Sequence, residues 1–531
     1  MAKIITKNTD LKIKNSFDKL GINDEFEVMF KNYTSDKRLS LKEFIHIIKV
    51  LTNYCKDNKL DITNNNSLDL SYSYDINSFD IYRLSINKQE EIEKLLVKYG
   101  NRRNHILFAG IVKDKLNGNK NIDLIKKVRN NKLTFDINDY DIRFRVSLEQ
   151  EVKKSEASKL LELSMDERFN IKIRLKQRAS FTLYEDSTYK ILVDCTISKT
   201  SQNLKNVNDV NENYEIELEV IRKKNSVKYT KVREKLIEKI DYILKNLNET
   251  DLIMTNKEKE KIINKYYELV TDKKKINGLY RMNAESLEIQ HVVDKIVKNY
   301  TVSDKADGEG IHAIIIDDQM FFIDSNSNIV NSGIKNSKLN KFKDSIIDGE
   351  LIYIEKYKKK VFLAFDILYY NGKDMRKENL TNRFQYLDDL INNVFINMQE
   401  IKIKPSYSSF ENSFNDHKEN IVKYLNKFNN ELEKSKDNTL VFRKYFIFTY
   451  GFSENEIFKY SKLLWDNYTT ELCPYEIDGI MYTPINQKYT KKLEDVTHKI
   501  YKWKPPELNS IDFWVEFLKN KETGKIETVF D

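Results

Sequence analysis

Apolar and polar residues alternate with a period of two over much of the first half of this chain. In D-E-F-E-V-M-F (24–30), Glu25 and Glu27 share one face while Phe26, Val28 and Phe30 share the other. That is the pattern of a strand with one wet and one dry side. Y-E-I-E-L-E-V-I (214–221) repeats it, with Glu215, Glu217 and Glu219 against Ile216, Leu218 and Val220. The alternating segments between these two carry the opposite charge. Arg83 stands in I-Y-R-L-S-I, Arg143 and Arg145 in D-I-R-F-R-V-S, and Lys172, Arg174, Lys176 and Arg178 in I-K-I-R-L-K-Q-R. L-V-D-C-T-I-S-K comes next, with Asp194, Thr196 and Lys199. Helical spacing replaces strand spacing at Gln89–Tyr99, at Val232–Leu247, and in the Lys-, Glu- and Asn-rich stretch 412–437, which reads as a surface helix.

Any one of these strands fits a sheet with its charged side in water. The set does not, because like charges on neighbouring strands repel. In-line carboxylates on two strands need a cation between them, and hard ions such as Mg²⁺ or Mn²⁺ are bound by such oxygens. The basic strands would then face a polyphosphate, whose oxygens Arg matches in pairs. A closed antiparallel barrel with a polar lumen and an apolar outer wall satisfies both demands. The helical stretches 89–99 and 232–247 are expected to cover that wall.

The second half has different punctuation. Y-T-V-S-D-K-A-D-G-E-G (300–310) ends an alternating run on one lysine, Lys305, with Asp307 and Gly308 just after it. A lysine on the last residues of a strand is held in place, and its neutral amine is a nucleophile. K-x-D-G alone equally describes a charged turn. The order of the next four segments is harder to set aside. S-I-I-D-G-E-L-I-Y (345–353) carries Glu350, and V-F-L-A-F-D-I-L-Y-Y (361–370) carries Phe365 and Asp366. Y-E-I-D-G-I-M-Y-T-P (475–484) carries Asp478, and H-K-I-Y-K-W-K-P-P (498–506) carries Lys502 and Lys504.

Composition narrows the picture less. At 531 residues the chain has room for more than one core. Its 90 Lys and Arg against 82 Asp and Glu leave a formal charge of +8, compatible with a polyanionic partner without demonstrating one. The three cysteines, Cys55, Cys195 and Cys473, are scattered and form neither a zinc motif nor a disulfide framework, which points to a reducing compartment. The start lacks the apolar core of a signal peptide, and no stretch is long and apolar enough for a bilayer, so no membrane partner is expected.

The two glutamate-alternating strands bracketing basic ones resemble the tunnel-type, metal-dependent RNA triphosphatases. That resemblance implies Glu25, Glu27, Glu217 and Glu219 as ligands of Mg²⁺ or Mn²⁺. It implies Arg83, Arg143, Arg145, Arg174, Lys176, Arg178, Asp194, Lys199 and Glu215 around the triphosphate. The series K-x-D-G, D-G-E, F-D, D-G, K-x-K over residues 299–506 resembles the covalent nucleotidyltransferases, the capping guanylyltransferases and polynucleotide ligases. By that resemblance Lys305 takes the nucleoside monophosphate. Asp307, Gly308, Glu350, Phe365, Asp366, Lys502 and Lys504 bind GTP or GMP, and Asp478 helps hold the metal. The two units in tandem are similar to the mRNA capping enzymes of nucleocytoplasmic large DNA viruses, of mimivirus type.

The expected organisation is α+β. An N-terminal antiparallel tunnel with closing helices occupies 1–248, a guanylyltransferase unit of antiparallel sheets and helices 249–508, and the opening of an OB-fold 509–531. The resemblance implies 5′-triphosphate RNA and GTP as substrates, a cap methyltransferase downstream or on a separate chain, and a place in the host cytoplasm or virion. Two departures stand out. The family often has arginine where this chain has Gly310, so that contact is missing or supplied elsewhere. The last OB-fold motif is also not reached by Asp531. A ligase charging its lysine with AMP, and an RNA-binding scaffold without turnover, are the competing readings.

Overall fold

The structure, a computed structural model, describes residues 5–22, 24–31, 38–73, 80–99, 102–129, 133–164, 171–250, 252–271, 278–294, 299–395, 407–491 and 498–508. The proposed OB-fold opening, 509–531, lies outside them. The chain separates into two compact units, the first running to Asn256 and the second from Lys257. No helix among the described residues is long and apolar enough to cross a membrane.

The first unit is built on nine strands: β1 (Asp24–Phe30), β2 (Ile62–Tyr72), β3 (Asp80–Ile86), β4 (Ile122–Arg129), β5 (Phe135–Ile137), β6 (Ile142–Glu151), β7 (Lys172–Glu185), β8 (Tyr189–Ser201) and β9 (Asn213–Arg222). They take the order β1-β9-β8-β7-β2-β3-β4-β6, and β6 pairs back onto β1, which closes the sheet into an antiparallel barrel. Strand β5 hangs on β6. The two glutamate strands are neighbours, with Glu27 opposite Glu219 and Met29 opposite Glu217.

Alternation then sorts the side chains as expected. Phe26, Val28, Val193, Ile216 and Leu218 point out of the barrel into a core shared with α1 (Lys7–Phe17), α2 (Leu41–Asn58) and α6 (Tyr229–Leu247). Helix α2 starts at a capping box in which Ser40 and Glu43 satisfy each other's backbone N–H groups. On the other side, Leu68, Leu84 and Leu124 pack against α3 (Gln89–Tyr99), α4 (Asn104–Leu116) and α5 (Lys154–Leu163). The predicted covering helices are thus present, with more beside them.

The second unit contains two sheets. One runs β10-β21-β20-β11-β19, from strands Ala284–Ser286, Ile500–Trp503, Ile477–Pro484, Tyr300–Ala306 and Ile447–Phe448. The other runs β14-β13-β12-β15-β16-β17, from Ile329–Lys335, Gln319–Ile323, Glu309–Ile316, Ile346–Ile354, Lys359–Tyr370 and Lys373–Asp374, with β18 (Thr439–Arg443) parallel to β16. The A-D-G-E turn carries the chain from β11 in the first sheet to β12 in the second. After α7 (Asn256–Val270) and α8 (Ile289–Asp294), α9 (Leu380–Val394) covers the outside of the second sheet.

The surface-helix reading of 412–437 is corrected here. Helix α10 (Phe410–Lys434) buries Ile421, Tyr424, Leu425, Phe428 and Leu432 in one core with α11 (Glu456–Tyr468) and strands of both sheets. The Phe428 ring stacks on Phe442 at 3.9 Å. Its polar residues occupy the outer face, and the apolar stripe between them is wide enough to make a core helix.

Candidate functional site

Because the barrel turns its polar face inward, its lumen collects charge. It holds a cavity of about 680 Å³ lined by acids from β1 and β9 and bases from β3, β4, β6 and β7. Of the expected residues, Glu25, Glu27, Glu215, Glu217, Glu219, Asp194, Arg83, Arg145, Arg174, Lys176 and Arg178 all line it. Arg143 and Lys199 do not. The Arg143 guanidinium is held by Asp136 at 2.6 and 2.9 Å. Lys199 has the parity of the outward residues, lies opposite Leu175, and donates to the Asn208 carbonyl at 3.2 Å.

Acid and base pair off across the lumen. Arg145 reaches Glu27 at 2.5 Å and Glu217 at 3.5 Å. Arg174 lies 2.6 Å from Glu215, Arg178 lies 2.7 Å from Asp194, and Lys176 pairs with Asp69. Lys127 bridges Glu25 and Glu149, and Ser147 also donates to Glu25. Lys127, Asp69 and Glu149 were not picked from the sequence. The run K-K-V-R places two lysines side by side, and only the strand register decides which of them faces inward.

Two carboxyls are pushed up in spite of this pairing. Burial, then Glu27, pushes Glu217 up to about 7 against the pull of Arg145. Glu219 accepts no hydrogen bond among the described residues, and burial with Glu25 and Glu27 pushes it up to about 8. Such a cluster of neighbouring carboxyls is, in donor chemistry, what a hard divalent cation takes. Among the described residues, however, no group of three or more His, Cys, Asp or Glu side chains is gathered into ligating geometry. Arg145 and Lys127 hold two of the glutamates instead.

The second cluster forms around β11. Lys305 Nζ lies 2.6 Å from Asp478 Oδ1, and Lys504 Nζ lies 2.6 Å from Asp478 Oδ2. The strand register slips beside Lys305, which faces Gly479 while Ala306 faces Ile477, so Asp478 falls on a bulge. Bulges re-aim side chains in this way beside active sites. Burial raises the Asp478 carboxyl, but the two lysines outweigh it and hold it below the usual carboxylate range. Gly308 N–H donates to Glu350 Oε1 at 3.3 Å, and a Cβ at 308 would stand 2.8 Å from the Glu350 side chain. Asp307 is exposed, its N–H tied to the Glu476 carbonyl.

Phe365 also falls at a register slip, since Asp348 faces Asp366 while Gly349 faces Ala364. Arg281 and Lys444 lie over its ring at 5.3 and 5.7 Å. Neither was picked from the sequence, since both stand outside the motifs. Lys444 is buried between Asp304 at 3.5 Å and Glu350 at 3.9 Å. Asp366, expected to bind nucleotide, is taken up in a buried bidentate pair with Arg383 at 2.7 and 2.8 Å. Lys502 makes no ion pair among the described residues and shares the face of Lys504, with Trp503 turned the other way onto Trp465.

Residues 245–463 match the family model described as the mRNA capping enzyme, catalytic domain. A protein of Acanthamoeba polyphaga mimivirus described as a probable mRNA-capping enzyme is 28% identical over 511 residues, covering 94% of this chain and 41% of that protein. The chain therefore spans about two fifths of the length of that relative. Among solved structures, the RNA triphosphatase domain of a mimivirus mRNA capping enzyme is 24% identical, covers 46% of this chain and 99% of its own, and has a TM-score of 0.34. A mycobacterial DNA ligase D is 9% identical, covers 43% and 60%, and has a TM-score of 0.25. At scores this low neither likeness bears on the fold, which stands on the strand pairings above. The chain thus resembles the viral mRNA capping enzymes, over nearly its whole length by the mimivirus relative and over residues 245–463 by the family model.

Proposed function

We propose that the chain caps RNA: the barrel, 1–248, removes the γ-phosphate of 5′-triphosphate RNA, and residues 249–508 transfer GMP from GTP to the diphosphate end. The observation that carries the reading is Asp478 held between Lys305 and Lys504 at 2.6 Å each, at the end of a strand and on a bulge. A nucleophilic lysine needs a carboxylate to receive its proton and a second cation to meet the phosphate.

In the transfer, Lys305 Nζ attacks the α-phosphorus of GTP. The Lys305 ammonium first passes a proton to Asp478, the N–P bond then forms, and the bond to pyrophosphate breaks. An oxygen of the RNA diphosphate then attacks the same phosphorus, the N–P bond breaks, and Lys305 regains a proton. Lys502 and Lys504 neutralise the phosphate oxygens, Phe365 carries the base, and Glu350, fixed by Gly308, faces the nucleoside. In the barrel, Arg174, Lys176 and Arg178 hold the triphosphate, while Glu25, Glu27, Glu217 and Glu219 would hold a cation. At both sites a bound Mg²⁺ or Mn²⁺ supplies positive charge to the phosphate oxygens. A cap methyltransferase would act on the product, on this or another chain, in the host cytoplasm or virion.

Incubation with α-labelled GTP and Mn²⁺ tests the reading. The parent is expected to carry an acid-labile GMP adduct that is lost in Lys305→Ala and kept in Lys343→Ala, whose exposed lysine is engaged by Asp317 at 2.8 Å. Label from ATP alone would replace capping with ligase-type chemistry, and label retained by Lys305→Ala would remove the nucleophile.

A further inference from the structure

We propose that Arg281 is a nucleotide-contacting residue of the Lys305 site, donating from Nη1 to the ribose hydroxyls opposite Glu350; this rests on the reading of Lys305 as the nucleophile.

Arg281 precedes β10 and stands apart in sequence from every motif of the site, yet its guanidinium is threaded into the centre of the cluster. Nε lies 3.1 Å from Asp348 Oδ1, and Nη2 donates to the Gly349 carbonyl at 3.3 Å. Asp348 is itself buried and fixed from behind by the Tyr489 hydroxyl at 2.6 Å. The plane of the arginine is therefore set before any ligand arrives. Nη1 is the remaining edge, and among the described residues it donates to nothing.

Where Nη1 points is decided by Gly310. A Cβ at that position would stand 1.5 Å from Nη1 and 2.6 Å from Cζ, so any side chain at 310 would expel the guanidinium. Gly310 pairs across the sheet with Glu350, the carboxylate that Gly308 holds. An unspent donor and a carboxylate acceptor thus face the same stretch of strand. On one side of them is Phe365, with the arginine 5.3 Å over its ring, and Lys305 stands at the far end of the turn. A nucleotide with its phosphorus at Lys305 and its base at Phe365 places its sugar between them. Adjacent ribose hydroxyls, each a donor and an acceptor, are what an Arg–Glu pair matches. Glycine at 310 is what makes room for the guanidinium.

The test is self-labelling of the full chain with labelled GTP and with labelled 2′,3′-dideoxyGTP, titrating each nucleotide. Arg281→Ala is expected to raise half-saturating GTP by about tenfold, the effect of one hydrogen bond to a charged donor, and to leave dideoxyGTP within about twofold. Gly310→Ala, whose Cβ displaces the same guanidinium, is expected to reproduce the loss and keeps the test open if Arg281→Ala misfolds. Arg281→Ala with Gly310→Arg is expected to recover part of the preference for the ribose. A purely structural arginine would weaken both nucleotides equally and lower the melting temperature, and that result would overturn the assignment. Loss of label in Lys305→Ala together with an unchanged GTP preference in Arg281→Ala would sink Arg281 alone. Label surviving in Lys305→Ala would sink the transferase reading beneath it.

Discussion

Glu219 shows how much one carboxyl's surroundings can say. It lies opposite Glu27, has no ion pair among the described residues, and is pushed by burial and two glutamates up to about 8, with Glu217 at about 7. Both values are raised above the ordinary 4.5, so the folded barrel binds protons that the unfolded chain releases. Their contribution to stability is fully present below about pH 4.5 and is lost as pH rises through 7 to 8. On the proposed reading, a divalent cation would take the place of those protons. Mn²⁺ affinity is therefore expected to rise between pH 6 and 8.5, by about tenfold per pH unit for each proton displaced. Calorimetric titration across that range checks it, and Glu219→Gln should flatten the slope. An affinity independent of pH would mean that these carboxyls do not ligate the ion. Legibility at this scale is uneven, for a physical reason. Parity along a strand reads Glu25, Glu27 and the β7 bases correctly from the sequence. Charge alone misplaces Lys199, which shares its face with Cys195 and Ile197 rather than with Asp194. Nor can parity anticipate Asp478 and Phe365, whose aim comes from slips in register that no period-two pattern contains.

Elements are read better when they are long and purely periodic. Strands β1 and β9 and helices α3 and α6 come from spacing alone, because one face of each is mainly apolar. Helix α10 reads as surface because its abundant Lys, Glu and Asn obscure a stripe that the fold uses as core. The consequence can be measured. Phe428 is fully buried against Phe442, so Phe428→Ala is expected to cost about 3–5 kcal/mol. Val422, on the outer side of the helix and 37% exposed, should change stability by less than about 0.5 kcal/mol as Val422→Ala. Denaturant unfolding of the two variants side by side separates the readings. Equal, small effects would return α10 to the surface.

At the scale of the whole molecule, the chain keeps its two charge clusters in two separately packed units, each with its own acids and bases. The barrel cluster comes from β1 and β9 facing β3, β4, β6 and β7, and the Lys305 cluster from the end of β11 with Asp478 of β20 and Lys504. Among the described residues, each cluster is built from side chains of its own unit. The two proposed reactions should therefore be separable by single substitutions. Glu217→Ala removes a carboxylate that Arg145 touches at 3.5 Å and that neighbouring acids and burial hold up at about 7. Its loss leaves Arg145 to Glu27 alone and, on the proposed reading, takes away a cation ligand and loosens the γ-phosphate end of the site. Each ~1.4 kcal/mol of lost transition-state stabilisation is about tenfold in rate, so phosphate release from triphosphate RNA should fall by about a hundredfold or more. Formation of the GMP adduct at Lys305 should stay within about twofold. Lys305→Ala should invert the result, abolishing the adduct while the γ-phosphate is still released. Because Glu217→Ala relieves repulsion between buried acids, its metal-free melting temperature should be equal to or above that of the parent, which separates a lost ligand from a lost fold. If a well-folded Glu217→Ala releases phosphate as fast as the parent, the lumen is a structural charge lattice and the first reaction belongs elsewhere.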